Sequence, residues 1–218
     1  MSRNLLIFGP PGAGKGTQAP RLAEELALPH VATGDMLRAH LRDGTELGRR
    51  AQGYMEAGDL VPDALVIEML VDRISQADAK DGFLLDGFPR NVAQAEALDA
   101  ELARHGRKID GLLVLDVGED EIVDRISGRL VCPNGHTWHA TFNAPATPGV
   151  CDTCGAPLTR RPDDEPDVVR NRYRNVYLAQ TEPVRGHYAA LGTPETAIDG
   201  TGSTDDVYTR LRRAVDAL

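Results

Sequence analysis

The residues whose types and spacing most clearly indicate a binding function form the glycine-rich segment from Gly9 to Thr17, GPPGAGKGT. It follows an apolar run that predicts a strand, Asn4 to Gly9, and precedes the helical pattern Ala19 to Leu26. Glycines let backbone N–H groups converge on phosphate oxygens, and the following helix adds partial positive charge at its N-terminus. The segment therefore predicts a nucleotide-phosphate site with a magnesium ion near the threonine. Its expected binding residues are Gly12, Ala13, Gly14, Lys15, Gly16 and Thr17.

A second candidate site consists of the three cysteines, Cys132, Cys151 and Cys154, which share one short stretch. In a chain without a recognisable secretion signal, this clustering favours a metal site over a disulfide. His136 and His139 are the candidates for the fourth metal ligand. Three thiolates and one imidazole suit a structural zinc ion, because an all-protein shell leaves no open position for chemistry. A reduced cluster without metal is the alternative.

Short apolar runs alternate with helix-length segments, and this alternation predicts a parallel α/β sheet. Two stretches interrupt the rhythm. Gly128 to Asp164 holds all three cysteines, five prolines and the only tryptophan, which predicts an inserted β-rich lobe. Gly34 to Ile74 predicts a helical insertion. The predicted strands are Asn4–Gly9, His30–Ala32, Gly82–Leu85, Leu112–Asp116 and Thr196–Asp199.

Length, charge and hydropathy limit the class of protein. A chain of 218 residues with 41% hydrophobic residues can bury one substantial core and a small satellite lobe. A membrane span needs about 20 consecutive apolar residues, and no run approaches that length. The net charge of −9 disfavours general nucleic-acid binding, which relies on a surplus of basic residues. We therefore expect a cytosolic protein with no nucleic-acid or membrane partner, which meets anionic ligands locally.

Three further motifs accompany the glycine-rich segment: Thr33-Gly-Asp-Met-Leu-Arg38, Asp86-Gly-Phe-Pro-Arg90 with Gln94, and Arg161-Pro-Asp-Asp164. Together with Gly14-Lys-Gly-Thr17, in which Gly16 separates the lysine from the threonine, they resemble the adenylate kinases from Leu5 to about Leu218. The resemblance implies a P-loop NTPase fold with a five-stranded parallel sheet flanked by helices. It also implies a core (1–32, 62–127 and 165–218), a helical NMP-binding insertion (33–61) and a β-rich lid (128–164).

The activity that this resemblance implies is reversible, magnesium-dependent phosphoryl transfer from ATP to AMP, giving two ADP. Arg38 and Arg90 are planar forks suited to a monophosphate, and Gln94 offers both a donor and an acceptor to an adenine edge. Asp86, at the carboxyl end of a predicted strand, would orient the magnesium ion and its waters. The implied AMP-binding residues are Thr33, Gly34, Arg38, Met55, Asp59, Leu60, Val61, Gly87, Phe88, Pro89, Arg90, Gln94, Arg161 and Arg172.

The resemblance further implies that arginines of the second half converge on the transferred phosphoryl group. Phosphoryl transfer needs in-line positioning and neutralisation of charge, and the AMP phosphate is itself the nucleophile, so no general base is expected. Arg170 and Arg172 follow the lid on a helix that Asp167 or a neighbour is expected to cap. The implied catalytic residues are Lys15, Asp86, Arg90, Arg125, Arg129, Arg161 and Arg172.

The lid is expected to close over ATP and exclude water. By resemblance, Arg129, Thr137, Trp138 and Gly202 contact ATP. A tryptophan departs from the family's pattern at this place, and we expect it to stack on the adenine or on Arg129. His136 is preferred as the fourth metal ligand, because His139 matches a histidine that the family uses for packing.

Three readings of the function stay open from the sequence. Besides an adenylate kinase, a related kinase with another donor or acceptor (a GTP:AMP phosphotransferase or a UMP/CMP kinase) shares the loop and the arginines. A nucleic-acid-binding zinc module with a regulatory P-loop is disfavoured by the acidic balance. A monomer is expected, because both nucleotides meet within one chain.

Overall fold

The computed structural model describes residues 3–218 and contains the predicted parallel sheet. The strands are β1 (Arg3–Phe8), β2 (His30–Ala32), β3 (Gly82–Asp86), β4 (Gly111–Asp116), β5 (Arg129–Val131), β6 (Thr137–His139) and β7 (Glu195–Asp199). Five of them form one sheet in the order β2-β3-β1-β4-β7, and every neighbouring pair is parallel. The predicted five-stranded sheet is confirmed, with strand ends that shift by about one residue.

Nine α-helices connect and flank the strands in the described part of the chain. They are α1 (Lys15–Glu25), α2 (Thr33–Arg42), α3 (Glu46–Ala57), α4 (Asp63–Ile74), α5 (Val92–Arg104), α6 (Glu119–Ser127), α7 (Pro166–Asn171), α8 (Pro183–Ala190) and α9 (Thr204–Asp216). Short 3₁₀ turns cover Ala77–Ala79 and Pro162–Asp164, and a π-helical segment, Arg172–Thr181, joins α7 to α8. None of these helices is long and apolar enough to cross a membrane.

Side-chain caps fix the start of three helices. Thr45, Asn91 and Ser203 each accept a hydrogen bond from the backbone N–H three residues later, at the starts of α3, α5 and α9. The predicted cap at Asp167 is not formed. Helix α7 begins with Pro166, whose missing N–H needs no partner, and Asp167 pairs with Arg170 at 3.3 Å instead.

The sheet is covered on both faces, because alternate residues of a strand point to opposite sides. In β1, Leu6 and Phe8 pack in one cluster with apolar side chains of α4, α5 and α8. Leu5 and Ile7 pack in the other with α1, α6 and α9. Burial on both faces leaves the carboxyl edge of the sheet, where the loops after β1 and β3 begin, as the place for a ligand.

Two lobes lie outside the five-stranded sheet. Helices α2 and α3 lie between β2 and α4 and form the helical insertion. The second lobe contains the antiparallel pair β5-β6 and a bridge from Val131 to Thr159. Within residues 129–160, all of which the structure describes, only Cys132 and Cys151 are buried. Thiols therefore replace an apolar core in this lobe.

The crossing of α2 and α3 gives a matched pair of stability predictions. A Cβ at Gly48 would lie 2.2 Å from the His40 carbonyl oxygen, whereas a Cβ at Gly53, on the same helix, would meet nothing within 4 Å. We expect Gly48→Ala to destabilise the protein by about 1–3 kcal/mol through overpacking. Gly53→Ala should stabilise it by about 0.5–1 kcal/mol, because alanine loses less backbone entropy in a helix. Urea unfolding of both variants measures the difference, and equal midpoints would contradict the close crossing.

Candidate active site

The glycine-rich loop connects the carboxyl end of β1 to the first turn of α1, the arrangement that the sequence predicted. Gly12 and Gly14 have positive φ angles of 81° and 97°. A Cβ at Gly12 would also lie 2.7 Å from Ile126, so the loop approaches α6 too closely for a side chain. The Lys15 Nζ donates to the carbonyl oxygens of Gly9 (2.6 Å) and Pro10 (2.9 Å). The loop is thus folded around its own lysine.

Positive charges crowd around this loop. Burial, the largest cause, lowers the pKa of Lys15 to about 8; the nearby Asp86 raises it, and Arg90, Arg172 and Arg129 lower it. Burial also lowers the pKa of Arg90 to about 10, with repulsion from Arg172 next. Burial and repulsion from Arg38 lower the pKa of Arg161 to about 10 in the same way. A protein with a net charge of −9 therefore keeps a local excess of cations that an anion would relieve.

Arg90 is held by hydrogen bonds to both its backbone and its side chain. Its Nε donates to Gly87 O at 2.7 Å, and its backbone N–H donates to Gln94 Oε1 at 2.7 Å. Its carbonyl oxygen accepts from the Thr181 hydroxyl at 2.8 Å. Within residues 3–218, its terminal guanidinium nitrogens have no hydrogen-bond partner. They are left for an anion. No pattern in the sequence pointed to Thr181, which lies in the π-helical segment outside every motif.

Two aspartates orient two more arginines of the predicted group. Arg129 pairs with Asp164, whose carboxylate is buried, and its Nε donates to Asp164 Oδ2 at 2.9 Å. Arg172 Nη1 donates to Asp163 Oδ2 at 2.6 Å. Both carboxylates come from the Arg161-Pro-Asp-Asp motif. In the sequence, this motif indicated only the resemblance to a family, and neither aspartate had a predicted role.

Arg125 has partners of its own. Its guanidinium donates to Gly200 O at 2.9 Å and pairs with Glu121, one turn earlier on α6. The predicted convergence of Arg125 on the phosphoryl group is not formed in this conformation.

A cleft with about 540 Å³ of empty space lies between the helical insertion and the core. Twelve of the predicted AMP-binding residues line it, whereas Pro89 and Arg161 do not. The twelve are Thr33, Gly34, Arg38, Met55, Asp59, Leu60, Val61, Gly87, Phe88, Arg90, Gln94 and Arg172.

A second cavity, with about 500 Å³ of empty space, lies between the glycine-rich loop and the π-helical segment. Lys15 and Pro89 line it, as do Val176 and Tyr177 of the π-helical segment. The residues that it shares with the first cleft are Gly87, Phe88, Arg90 and Arg172. The two spaces therefore meet at two arginines.

Asp86 ends β3 at this junction and is buried. Its Oδ2 lies 3.5 Å from His30 Nε2, and Thr33 donates to the neighbouring Gly87 O at 2.9 Å. A hard divalent cation prefers carboxylate, hydroxyl and water oxygens. Asp86 and the hydroxyl of Thr17, on the first turn of α1, supply two such groups around the loop.

The ligand atoms of Cys132, His136, Cys151 and Cys154 all lie within 4.8 Å of one another. Cys132 Sγ is 3.7 Å from Cys154 Sγ and 3.3 Å from His136 Nδ1, and Cys151 Sγ is 3.5 Å from the same nitrogen. Zn–S bonds of about 2.3 Å at tetrahedral angles place two sulfurs about 3.8 Å apart. The four residues thus fit a tetrahedral zinc ion.

The other lid residues lie elsewhere. His139 is outside the ligand group: its Nδ1 accepts from the backbone N–H groups of Thr141 (3.1 Å) and Phe142 (3.0 Å). The Trp138 indole N–H donates to Cys151 Sγ at 3.4 Å, so the tryptophan packs on the metal group and not on Arg129 as expected. Thr137 begins β6 and is exposed. Gly202 follows β7, with a φ of 95°.

Comparisons with known proteins agree with this geometry. A family model described as adenylate kinase matches residues 7–193. A protein named adenylate kinase from Streptomyces griseus is 53% identical over 215 residues, 98% of this chain and 97% of its own length. Its namesake from Streptomyces coelicolor is 52% identical over 98% of this chain and 97% of its own. That of Methanococcoides burtonii is 45% identical over 98% of each chain.

Proposed function

The chain belongs to the adenylate kinase family, and from this we propose that its two joined cavities hold ATP and AMP with their phosphates facing each other. The activity is reversible phosphoryl transfer from ATP to AMP, giving two ADP. The observation that carries the placement is the cluster of Lys15, Arg90 and Arg172 where the two cavities meet. The cluster is positive and partly buried in an acidic protein, so it favours the polyphosphate that passes between the sites.

The proposed mechanism assigns positioning and charge neutralisation to the side chains. The AMP phosphate enters the first cleft between Arg38 and Arg90 and attacks the terminal phosphate of ATP in line. Arg90, Arg129 and Arg172 neutralise charge that develops on the equatorial oxygens. Because Asp163 and Asp164 already hold two of these guanidinium groups, little reorganisation is needed at the moment of transfer. Arg125 and Arg161 would join after closure.

Magnesium and zinc have separate proposed roles. Mg²⁺ bound with ATP would be held near Thr17 and Asp86, and it neutralises phosphate charge and orients the oxygens. The Asp86 carboxylate can accept hydrogen bonds from water molecules bound to the magnesium ion. Zn²⁺ would be held by Cys132, His136, Cys151 and Cys154, and it supplies a structural cross-link in a lobe without an apolar core.

The domain boundaries follow from the same assignment. We propose a core at 1–32, 62–127 and 165–218, an AMP-binding insertion at 33–61 and a lid at 128–164. The lid carries Arg129 and Thr137 and closes over ATP, with Gly202 beside the adenine. Closure excludes water, because hydrolysis of ATP competes with transfer. We also propose a cytosolic monomer without nucleic-acid or membrane partners.

The test of the function is ADP formation from ATP, AMP and Mg²⁺, compared with an AMP-free control. Rapid ADP production only with AMP present is expected. UMP, CMP and GMP as acceptors, and GTP as donor, test the related kinases that the named relatives disfavour. Hydrolysis of ATP at the same rate without AMP would overturn the two-nucleotide arrangement.

The lowered pKa of Lys15 predicts a pH dependence. The amine is charged below pH 8 and becomes neutral above it, because burial lowers its pKa to about 8 in the free protein. We expect kcat/KM for MgATP to fall with pH above about 8, since this parameter reports the free enzyme. The fall in kcat should lie at higher pH, because bound phosphates favour the charged amine. In a Lys15→Arg variant, whose guanidinium stays charged, the fall near pH 8 should disappear. A decline with the same midpoint in that variant would assign it to another group.

A further inference from the structure

Three polar side chains form a connected chain behind the first cleft. Asp63, the first residue of α4, accepts from Gln94 Nε2 at 2.6 Å and from Asn91 Nδ2 at 3.1 Å. Asn91, which caps α5, accepts the Gln94 backbone N–H at 2.8 Å. Gln94 is buried and lines the cleft, whereas Asp63 does not line it. Asp63 therefore meets the cleft only through Gln94.

These contacts fix which way the Gln94 amide points. Its Oε1 accepts from the Arg90 backbone N–H at 2.7 Å, while its Nε2 donates to the Asp63 carboxylate. An ionised carboxylate only accepts hydrogen bonds and a backbone N–H only donates them. A flipped amide would place oxygen against carboxylate and N–H against N–H, so both contacts would become repulsive. The orientation is thus set by chemistry on both sides.

With this orientation, the Gln94 amide offers a ligand one hydrogen-bond donor and one acceptor at fixed positions. A primary amide has two N–H donors and two oxygen lone pairs, and one of each is used within the protein. The remaining N–H and lone pair match the ring-nitrogen acceptor and 6-amino donor of adenine. A 6-oxopurine presents the opposite pattern at the same two positions, an oxygen acceptor and a ring N–H donor. Only the flipped amide would match the 6-oxopurine.

We propose that Asp63 is a positioning residue that fixes the orientation of the Gln94 amide and thereby makes the acceptor site select adenine over 6-oxopurine monophosphates. The proposal rests on the proposed function, in which Gln94 contacts the AMP base. Asp63 thus contributes to the selection of the base without touching the nucleotide. The negative charge is essential, because a neutral amide or hydroxyl at this position can donate as well as accept.

The test compares AMP with IMP as acceptor in the wild type and in Asp63→Asn, with ATP as donor. IMP carries the 6-oxo group without the 2-amino group of GMP, so the 6-position alone changes. The asparagine side chain can face Gln94 with either its oxygen or its NH₂ group. We expect the ratio of kcat/KM for AMP to that for IMP to fall about tenfold or more, while kcat with AMP changes little. The change should appear in the KM for the acceptor.

Two further variants separate the outcomes. Glu68→Gln, at an exposed site on the same helix, removes the same charge and should leave the ratio unchanged. Gln94→Ala tests the underlying function. If Gln94→Ala lowers the ratio but Asp63→Asn leaves it within about twofold of the wild type, the role of Asp63 is overturned while base recognition by Gln94 stands. If Gln94→Ala leaves the ratio unchanged, base recognition by Gln94 fails, and the proposal fails with it.

Folding is checked separately by thermal unfolding. Should Asp63→Asn not fold, Asp63→Ser replaces it, because a serine hydroxyl suits the start of a helix and can donate or accept. The same fall in the AMP to IMP ratio is expected for the serine variant. A ratio equal to the wild type in folded Asp63→Ser would overturn the proposal.

Discussion

Replacing Arg90 with alanine is expected to lower kcat by about a thousandfold or more, the scale of losing an arginine that stabilises a phosphoryl-transfer transition state. Arg90 lies where both cavities meet, and its pKa is lowered to about 10, first by burial and then by Arg172 and Arg38. Three hydrogen bonds hold its backbone and Nε, while its terminal nitrogens have no partner in the described part of the chain and can bind phosphate oxygens. These contacts hold the guanidinium in place before an anion binds.

The matched control is Arg104→Ala, in α5. Its side chain is 74% exposed and, among residues 3–218, forms an ion pair only with Glu101, so turnover should stay close to that of the wild type. Steady-state rates in both directions of the reaction, with a thermal melt for each variant, complete the measurement. Turnover within about tenfold of the wild type in folded Arg90→Ala would contradict a role in the transfer step. A rise in KM for AMP at unchanged kcat would restrict Arg90 to ground-state binding.

The second large effect is expected in the lid. His136→Ala should remove one of four metal ligands, lower the bound zinc from about one equivalent toward zero and destabilise the lobe. A zinc ion present at a free concentration a thousand times its Kd stabilises the folded protein by about 4 kcal/mol. Loss of that stabilisation lowers Tm by about 8–16 °C in a chain of this size. The expected magnitude is large because Cys132 and Cys151 are the only buried residues of 129–160.

His139→Ala is the control for the lid, three residues further along the chain. His139 lies outside the ligand group and accepts from backbone N–H groups, so its loss should cost some stability while the zinc content stays at one equivalent. Metal analysis of both purified proteins, together with calorimetry, separates the two effects. Equal zinc content in His136→Ala and the wild type would contradict the ligand set. Loss of activity in a folded, zinc-free lid would contradict a purely structural metal.

The positions of the strands and the glycine-rich loop could be predicted from the sequence because they depend on local patterns, whereas the order of the strands in the sheet could not. Apolar runs bounded by glycine and proline gave β1 and β3 to within about one residue. The alternation of strands and helices gave the parallel sheet. The sequence also predicted that Lys15 follows one strand and that Asp86 ends another, and the structure shows that these strands are parallel neighbours, which brings the two residues to one edge.

The partners of the arginines could not be predicted, because they are contacts between segments far apart in the chain. The pairing of Arg129 with Asp164 spans 35 residues, and the bond from Thr181 to Arg90 spans 91. Arg125 shows the same limit: the resemblance implied that it reaches the transferred phosphoryl group, whereas in the structure its guanidinium contacts Gly200 and Glu121. Side-chain rotamers respond to neighbours that a linear pattern does not contain.

The sequence by itself predicted a phosphate-binding loop and a group of thiols for a metal. Residue type and local spacing suffice for these two predictions, because backbone conformation and ligand chemistry are properties of short segments. The arginines for a second nucleotide were implied by the resemblance to a family. Only the tertiary structure decided which side chains meet. It brought His136, which the resemblance already favoured, close to the three thiols, turned Trp138 onto Cys151 and fixed the Gln94 amide through Asp63, on another helix. The physical reason is that burial, charge repulsion and hydrogen-bond direction act through space, between residues that the chain order keeps apart.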